Sequence, residues 1–374
     1  MFVCLFQLTK PLNQYHAFSK SLFTQRIRMH SIKHYAVDFT GRGSEYFRIW
    51  IVNIALSIIT LGIYSAWAKV RTMRWFYGHT FLDNHSFSYL ATPMQILKGR
   101  LIAATLLILY VGTSKFAPLV STLIIVTIGI ASPWIIVAAL RFGARQSAYR
   151  GLRFNFTGSV GEAAKVYLLM PILTIITFGL ALPYVAYTQL KFLATHYAYG
   201  TTTTSYSGSS KPFWKLYLFT LAFLAVVWGM IGALIYAYMV THPALSPETH
   251  KQMIGLAISV GFLAFYITIP IAVAIIKTQT INLFYNHLHL EDVRFHSTQR
   301  VRDVLWIYAT NLLLIMITFG LYIPFASVRL ARYRSLHLEI IAANLDEFAV
   351  QSFATTTAVG SEISDLFDMD IGVA

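Results

Sequence analysis

Three acidic residues and three histidines are placed symmetrically about three glycines in this sequence. Each glycine has an acid 17 residues before it and a histidine 17 residues after it: Glu45, Gly62 and His79; Glu162, Gly179 and His196; Asp303, Gly320 and His337. A carboxylate beside an imidazole can form an ion pair or exchange a proton. If the chain folds back at each glycine, helices rising about 1.5 Å per residue bring each acid level with its histidine. We therefore expect these pairs to lock the bases of helical hairpins, with proton sensing as a secondary role.

The acids also fit a simpler interpretation as helix caps. Ser159 and Glu162 have the spacing of a capping box, and Glu45 directly follows Ser44. A turn spread over residues 62–66 would shift the pairing by about one helical turn and leave the acids to cap backbone amides alone. In both interpretations these residues are structural and not catalytic.

Neutral polar residues recur in the same register. Thr60, Thr177 and Thr318 lie two residues before the glycines, and Asn53 and Asn311 lie nine residues before the first and third. The second copy has Met170 at the asparagine position. Such side chains either line a polar path or form hydrogen bonds between helices. The shared register indicates three copies of one unit, at about residues 37–90, 154–208 and 293–343.

Motifs for enzymatic or metal chemistry are missing from the sequence. It contains no Walker motif, HExxH or CxxC, and its single cysteine, Cys4, cannot form an intrachain disulfide. The histidines do not form a helical i, i+4 pair with a nearby carboxylate, which a zinc site would need. The sequence thus predicts a protein that is not an enzyme and has no metal or cofactor.

The composition is that of a multi-pass membrane protein. Of the 374 residues, 56% are apolar and 12% are charged, and the mean hydropathy is +0.60. Five stretches contain no aspartate, glutamate, lysine or arginine: 101–114, 116–140, 166–190, 216–247 and 252–276. Uncharged runs of this kind are typical of helices in a bilayer whose hydrocarbon core is about 30 Å thick.

The basic residues decide between two topologies. If every repeat spans the membrane, there are seven spans, and lysine and arginine divide almost evenly between the two sides. If each repeat leaves and returns on one side, four spans remain, within 99–140 and 213–277. Only Lys115 and Lys251 of the 29 basic residues then lie outside. The positive-inside rule favours this second arrangement, with re-entrant helical hairpins.

Short strands are predicted next to the helices. HTFLDNHSF (79–87) and HLHLEDVRF (287–295) share a pattern with central turn residues, and GLRFNFTG (151–158) alternates in a related way. The predicted fold is therefore an all-α polytopic membrane protein with three Gly/Pro-broken helical repeats and short cytoplasmic β-hairpins. We place a basic leader at 1–35, a membrane domain at 36–343 and an acidic disordered tail at 344–374.

One stretch resembles a known family. EYFRIWIVNIALSIITLGIYSAWAKVRTMRWFYG (45–78), with FTG before it, is similar to the YjgN family of bacterial inner-membrane proteins. The resemblance covers roughly residues 36–343. It implies a bacterial inner-membrane location, supplies no catalytic residues, and leaves the function unknown. The second repeat departs from the motif at Ala181 and Thr188.

Two short stretches of the sequence bear on its function. KVRTMRWF (69–76) and VRLARYR (328–334) mix bases with aromatic residues, as interfacial helices on an anionic inner leaflet do. We expect membrane lipids as partners, with a homo-oligomer as a further possibility and no nucleic acid. The apolar runs lack an ionisable residue at depth, which disfavours a proton-driven pump. A channel or facilitator for a small solute is favoured over the alternative, a non-transporting scaffold or lipid-interacting regulator.

Overall fold

The computed structural model describes residues 33–242, 247–343 and 345. Nearly all of the predicted leader and tail lies outside these residues. Eleven strands are described, in this order: β1 (Lys33–Phe39), β2 (Thr80–Leu82), β3 (His85–Tyr89), β4 (Ser147–Tyr149), β5 (Leu152–Phe156), β6 (Tyr197–Tyr199), β7 (Thr202–Thr203), β8 (Ser205–Tyr206), β9 (Leu288–Leu290), β10 (Val293–Ser297) and β11 (Leu338–Ala342). The first strand begins inside the segment that was assigned to the leader.

The eleven strands form one antiparallel sheet, which we call the strand ring. Each strand pairs with its neighbours in sequence, and β1 also pairs with β11, so the first and last strands meet. The sheet is interrupted only between β7 and β8, which Thr204 joins covalently. Four tight turns lie along one edge of the ring, and their residues with positive φ include Asp83, Asn84, Arg150, Gly151, Gly200 and Glu291.

Five helical hairpins leave the opposite edge of the strand ring. They are inserted between β1 and β2, β3 and β4, β5 and β6, β8 and β9, and β10 and β11. In chain order the helices are α1 (Gly43–Ile59), α2 (Ser65–Gly78), α3 (Pro93–Phe116), α4 (Pro118–Arg145), α5 (Val160–Ala164), α6 (Met170–Ile176), α7 (Leu182–His196), α8 (Lys211–Thr241), α9 (Pro247–Asn286), α10 (Val301–Ile317) and α11 (Ile323–Leu336).

The predicted all-α fold class is wrong. Helices make up most of the described chain, but the short strands do not stand alone as separate β-hairpins; they join in the strand ring. Pairing between successive hairpins, such as β3 with β4 and β5 with β6, connects segments more than 40 residues apart. Strands of two to seven residues carry no sequence signal for such distant partners.

The second and fourth hairpins are long. Four helical segments are long and apolar enough to cross a membrane: Pro93–Phe116, Pro118–Arg145, Lys211–Thr241 and Lys251–Asn286. They coincide with the four spans that the charge distribution favoured. Both helices of each long hairpin return to neighbouring strands, so all four spans connect to the same ring.

The first, third and fifth hairpins are short, and the two ends of each meet neighbouring strands, as the re-entrant arrangement predicts; which side of the membrane they occupy stays a prediction. In the first, α1 follows β1 and α2 leads into β2, the neighbouring strand. The first basic residue after the turn glycine is Lys69, Lys191 or Arg329, which is 7, 12 or 9 residues along. Rises of about 10 to 18 Å separate these bases from the tips, well short of the hydrocarbon thickness.

The third hairpin has a distorted first helix. A π-helical segment, Lys165–Leu169, separates α5 from α6, and the Met170 N–H donates to the Lys165 carbonyl five residues before it. Pro171 follows at once and has no N–H to offer to an α-helical hydrogen bond. The first helix of the third hairpin therefore differs from α1 and α10, which are continuous α-helices.

The helices pack in ring order. Each of the main helix–helix contacts among the described residues joins neighbours along the chain, and α11 packs on α1 to complete the circle. At this closing contact the rings of Phe47 and Phe325 lie 5.7 Å apart. The helices therefore form a single closed layer above the strand ring.

The inside of the strand ring is filled near its tight turns. Apolar side chains from most of the strands form one buried cluster: Val37, Leu82, Tyr149, Leu152, Tyr199, Leu290, Val293, Ile340 and Ala342. The Tyr149 hydroxyl donates to the Leu82 carbonyl at 2.8 Å, and the Tyr199 hydroxyl donates to the Tyr149 carbonyl at 2.9 Å. We call this cluster the floor of the ring.

Candidate functional site

The five places where hairpins leave and rejoin the strand ring share one backbone contact. We call each of them a neck. In every neck the residue after the incoming strand donates its N–H to the carbonyl at the end of the returning helix: Thr40 to His79 (3.0 Å), Leu90 to Gln146 (2.8 Å), Thr157 to His196 (2.8 Å), Ser207 to His287 (3.0 Å) and Thr298 to His337 (3.0 Å). The long hairpins therefore close in the same way as the short ones.

A side chain from the preceding hairpin fastens each neck to its neighbour. It donates to the carbonyl two residues after the incoming strand: Arg332 to Gly41 (2.9 Å), Arg74 to Ala91 (3.1 Å), Arg141 to Gly158 (2.9 Å), Tyr187 to Gly208 (3.3 Å) and Asn282 to Gln299 (2.8 Å). Arg74 and Arg332, which belong to the basic and aromatic stretches, thus have defined protein partners in addition to any lipid.

Histidines occupy four of the five necks in one orientation. Nδ1 lies close to the carbonyl four residues earlier, at 2.7 Å for His79, 2.8 Å for His196, 2.8 Å for His337 and 3.1 Å for His287. A carbonyl oxygen can only accept, so Nδ1 carries the proton. Nε2 is then the nitrogen that faces the acid, and it donates to a carboxylate when both ring nitrogens carry a proton.

Two of the three predicted acid–histidine pairs form. Nε2 of His196 lies 3.1 Å from Oε2 of Glu162, and Nε2 of His79 lies 3.9 Å from Oε2 of Glu45. The pKa of Glu162 is lowered, first by the hydrogen bond from the Ser159 side chain and, to a smaller extent, by His196. Ser159 and Glu162 also form the expected capping box.

The third pair does not form. Asp303 instead lies 3.5 Å from Nε of Arg302, and no ion pair joins it to His337 among the described residues. The backbone of this neck is closed like the others, so the side chain accounts for the difference. Aspartate is one methylene shorter than glutamate, which gives its carboxylate a shorter reach toward the histidine.

The glycines and threonines build the tips of the short hairpins. Gly62, Gly179 and Gly320 have φ of 91°, 88° and 91°, and each follows a large apolar residue that also has positive φ. Thr60 donates its hydroxyl to the Leu56 carbonyl at 2.7 Å and accepts the Tyr64 N–H at 2.9 Å. Thr177 and Thr318 repeat this pattern. The threonines therefore cap the turns.

The two asparagines hold the helices of their hairpins together. Asn53 is 5% exposed and Asn311 is 6% exposed, and each amide nitrogen lies 3.5 Å from a carbonyl of the second helix, that of Ala68 or Ala326. Arg329 also donates to the Asn311 side-chain oxygen at 3.2 Å. These contacts match helix–helix hydrogen bonding, one of the two roles considered for them.

The sequence analysis missed two of the five necks. Gln146 and His287 occupy the positions of the predicted histidines in the long hairpins. The sequence signal for a neck was a short motif before the first, third and fourth hairpins, FTG at 39–41 and 156–158 and YSG at 206–208. Among the described residues, groups of three or more potential metal ligands are not found.

These features define a class: a multi-pass membrane protein in which one sheet carries five helical hairpins on one edge. The chain belongs to a bacterial family of proteins of unknown function, DUF898, whose model matches residues 34–366. The expected membership of the YjgN family is confirmed.

Similar proteins include two that carry the name inner membrane protein YjgN. The one from Salmonella typhimurium is 32% identical over 136 residues, which are 36% of this chain and 34% of that protein. The one from Escherichia coli K12 is 30% identical over 135 residues, again 36% and 34% of the two chains. The alignment thus spans about a third of these relatives. No solved structure matches the chain. With its four candidate spans, the protein is an inner-membrane protein.

Proposed function

We propose that this protein binds and organises phospholipid in the inner membrane and does not conduct a solute. The observation that carries the proposal is the filled floor of the strand ring. A solute moving along the axis of the molecule would have to pass the apolar cluster that includes Leu82, Leu152 and Leu290. Tyr149 and Tyr199 tie this cluster together through hydrogen bonds to backbone carbonyls.

The long helices support contact with lipid on more than one side. Residues 101–114 of α3 and 118–140 of α4 contain no ionisable side chain, and the first of these helices has no buried residue at all. Large apolar side chains such as Leu107, Ile108 and Leu109 are exposed on successive faces. A helix that is apolar all round suits acyl chains and not a water-filled pore.

The short hairpins support the same proposal. Their tips end in exposed apolar residues, Leu61, Phe178 and Phe319, which are 94%, 96% and 97% exposed. Burying such side chains in hydrocarbon is favourable by about 1.5 to 3 kcal/mol each. The hairpins therefore insert part-way into the leaflet that faces the strand ring, where they order the surrounding lipid.

Retention of lipid tests the proposal. The protein is extracted with its surrounding bilayer into polymer nanodiscs, exchanged into detergent, washed, and examined by native mass spectrometry. We expect phospholipid to remain bound after washing that strips an unrelated four-span membrane protein. Complete loss of lipid from both proteins would contradict the proposal.

A small-solute facilitator is the second candidate. The observation in its favour is the set of three short hairpins with broken helical tips, since broken helices line the paths of many transporters. Swelling of proteoliposomes in glycerol or urea distinguishes the two candidates. We expect swelling at the rate of protein-free vesicles, and clear acceleration would favour the facilitator.

We also propose lipid as the partner and no enzymatic role. Each neck acid and histidine discussed above has a structural partner, an interaction that stabilises the fold without a substrate. The possible homo-oligomer and the lack of nucleic-acid binding stay predictions.

A further inference from the structure

A groove runs along one side of α10, at the base of the fifth hairpin. It has a volume of about 630 Å³, and its lining residues are Arg302, Asp303, Leu305, Trp306, Ile307 and Ala309. Ligand sites in proteins usually measure about 300 to 1,000 Å³, so the groove is large enough for a ligand. All of its lining residues belong to the half of α10 that is nearer to the strand ring.

The polarity of this face changes along the helix. Arg302 and Asp303 lie in the first turn, next to the strand ring, and their side chains are 88% and 32% exposed. Trp306 lies one turn further and is 67% exposed, and tryptophan is enriched where headgroups meet hydrocarbon. Further along, the same face carries the exposed side chains of Leu313 and Met316. The face thus passes from charged to aromatic to apolar, as a phospholipid does from headgroup to acyl chains.

The length of this face matches one leaflet of a bilayer. The helix rises by roughly 21 Å from Arg302 to Met316. Half of a bilayer, with its headgroups, is about 20 to 22 Å thick. A lipid with its headgroup at Arg302 would therefore have its acyl chains beside Leu313 and Met316.

Three positions on this face differ from the other two repeats. In the register of the turn glycines, the residues of the first and second repeats that correspond to Arg302, Trp306 and Ala309 are, in that order, Ser44 and Gly161, Arg48 and Lys165, and Ile51 and Leu168. Alanine leaves room that isoleucine or leucine would fill. The third repeat therefore departs from the other two at residues that give the groove its space, its cation and its aromatic ring.

The acid of this hairpin lines the groove and does not pair with a histidine. Asp303 has Nε of Arg302 as its partner at 3.5 Å, whereas Glu45 and Glu162 contact His79 and His196. An exposed ion pair between neighbouring residues contributes little to stability, so a ligand can separate its two charges at small cost. A cation and an anion side by side in one groove complement a ligand that carries both charges.

From this arrangement we propose that the groove binds a phospholipid whose headgroup carries a primary ammonium, such as phosphatidylethanolamine. Arg302 binds the phosphate, Asp303 accepts hydrogen bonds from the ammonium group, and Trp306 lies beside the glycerol backbone. The proposal rests on the lipid-binding function proposed above and names its site and headgroup. Phosphatidylcholine lacks the N–H donors that Asp303 would use, and phosphatidylglycerol has no cation.

Titration with short-chain lipids tests this assignment. Calorimetry of the full chain in detergent compares dioctanoyl phosphatidylethanolamine with the phosphatidylcholine and phosphatidylglycerol of the same chain length. We expect the ethanolamine lipid to bind about tenfold more tightly than the other two, because only its headgroup satisfies both charges with hydrogen bonds. Free phosphoethanolamine should bind much more weakly than the lipid, because it lacks the acyl chains that contact the apolar side chains.

Two substitutions remove one charge each. Arg302→Gln should weaken binding of the ethanolamine lipid about tenfold, since it removes the charge-assisted hydrogen bonds to the phosphate. Asp303→Asn should weaken it by a similar factor and abolish the preference over phosphatidylglycerol, because the carboxylate no longer repels an anionic lipid. Arg48→Gln is the matched control and should leave the affinity unchanged, since Arg48 is an exposed arginine on α1 outside the groove.

A third substitution fills the groove and keeps both charges. Ala309→Ile introduces the residue that the first repeat has at this position, and its side chain would occupy the space beside Trp306. We expect this variant to lose affinity for all three lipids. It also serves if either charge variant does not fold.

Each result has a definite meaning. Equal affinities for the three lipids would overturn the headgroup assignment, and equal binding of free phosphoethanolamine would overturn the lipid as its source. If all three groove variants bind the ethanolamine lipid as the unaltered chain does, the groove is not the site, although the protein still binds lipid. If the unaltered chain binds none of the probes and retains no lipid after extraction in nanodiscs, the assignment and the proposed function both fail.

Discussion

One methylene group separates the two necks in which an acid contacts its histidine from the neck in which it does not. The backbone hydrogen bonds of the necks at His79, His196 and His337 are alike, and so are the Nδ1 contacts of the three histidines. The carboxylates differ, because Asp303 is shorter than Glu45 and Glu162. Side-chain length is therefore the difference that we expect to decide whether the neck gains this contact, and Asp303 has Arg302 as its partner instead.

A reciprocal exchange tests the role of length. Asp303→Glu should bring a carboxylate to His337 and raise the unfolding free energy by about 0.2 to 1 kcal/mol, the range of exposed ion pairs. Glu162→Asp should break the contact with His196 and lower the unfolding free energy by a similar amount. Thermal unfolding in detergent at pH 6 measures both. If both variants unfold like the original chain, the pairs do not contribute to stability.

The residue spacing predicted these contacts only in part. The equal spacing from the glycines predicted that each acid lies level with its histidine, and Glu45 and Glu162 do contact their histidines. Residue spacing does not distinguish aspartate from glutamate, so it could not predict that Asp303 and His337 form no contact. It also missed Gln146 and His287, because the long hairpins contain no matching acid and glycine.

The tips of the short hairpins require a glycine with positive φ. Gly62 has φ of 91° and open space where a Cβ would lie, so a side chain there would clash with nothing. The cost of a substitution comes from the backbone itself, because L-residues rarely adopt this conformation. A substitution at Gly62 therefore tests backbone strain without a change in side-chain packing.

Gly62→Ala should destabilise the protein by about 1 to 2 kcal/mol through this strain. Gly112→Ala is the matched control, since Gly112 also has open space but lies within the helix α3. Chemical unfolding in mixed micelles compares the two. We expect the control to be neutral or slightly stabilising, and equal effects from both would show that the turn is not strained.

The helical elements were easier to predict than the sheet. Apolar runs and glycine registers are local patterns, and they located the four spans and the three short hairpins. The strand ring depends on partners far apart in the chain. β1 pairs with β11 about 300 residues later, and β7 and β8 have only two residues each, too few to show alternation.

For the whole molecule, the pairing of β1 with β11 is the contact that closes the strand ring. Ala36 and Glu339 are direct partners in its register, so their side chains lie on the same face. In an antiparallel pair the Cα atoms of direct partners are about 4.5 to 5.5 Å apart, which suits a disulfide.

Cross-linking tests this closure. With Cys4→Ser as background, Ala36→Cys and Glu339→Cys should form a disulfide under mild oxidation in membranes, detected by a mobility shift on gels. Ala36→Cys with Leu338→Cys is the control, since Leu338 packs toward the floor and its side chain lies on the opposite face. Efficient cross-linking of the control, or none of the designed pair, would contradict the ring.

The same closure sets an order on biosynthesis. Translation delivers β1 at the start of the described chain and β11 near its end, so a nascent chain holds β1 with an unpaired edge until residue 342 has left the ribosome. Unpaired edges invite association with other chains. A stop codon before Leu338 would therefore do more than shorten the protein. It would leave unpaired edges on β1 and β10, and we expect proteases and chaperones to recognise them.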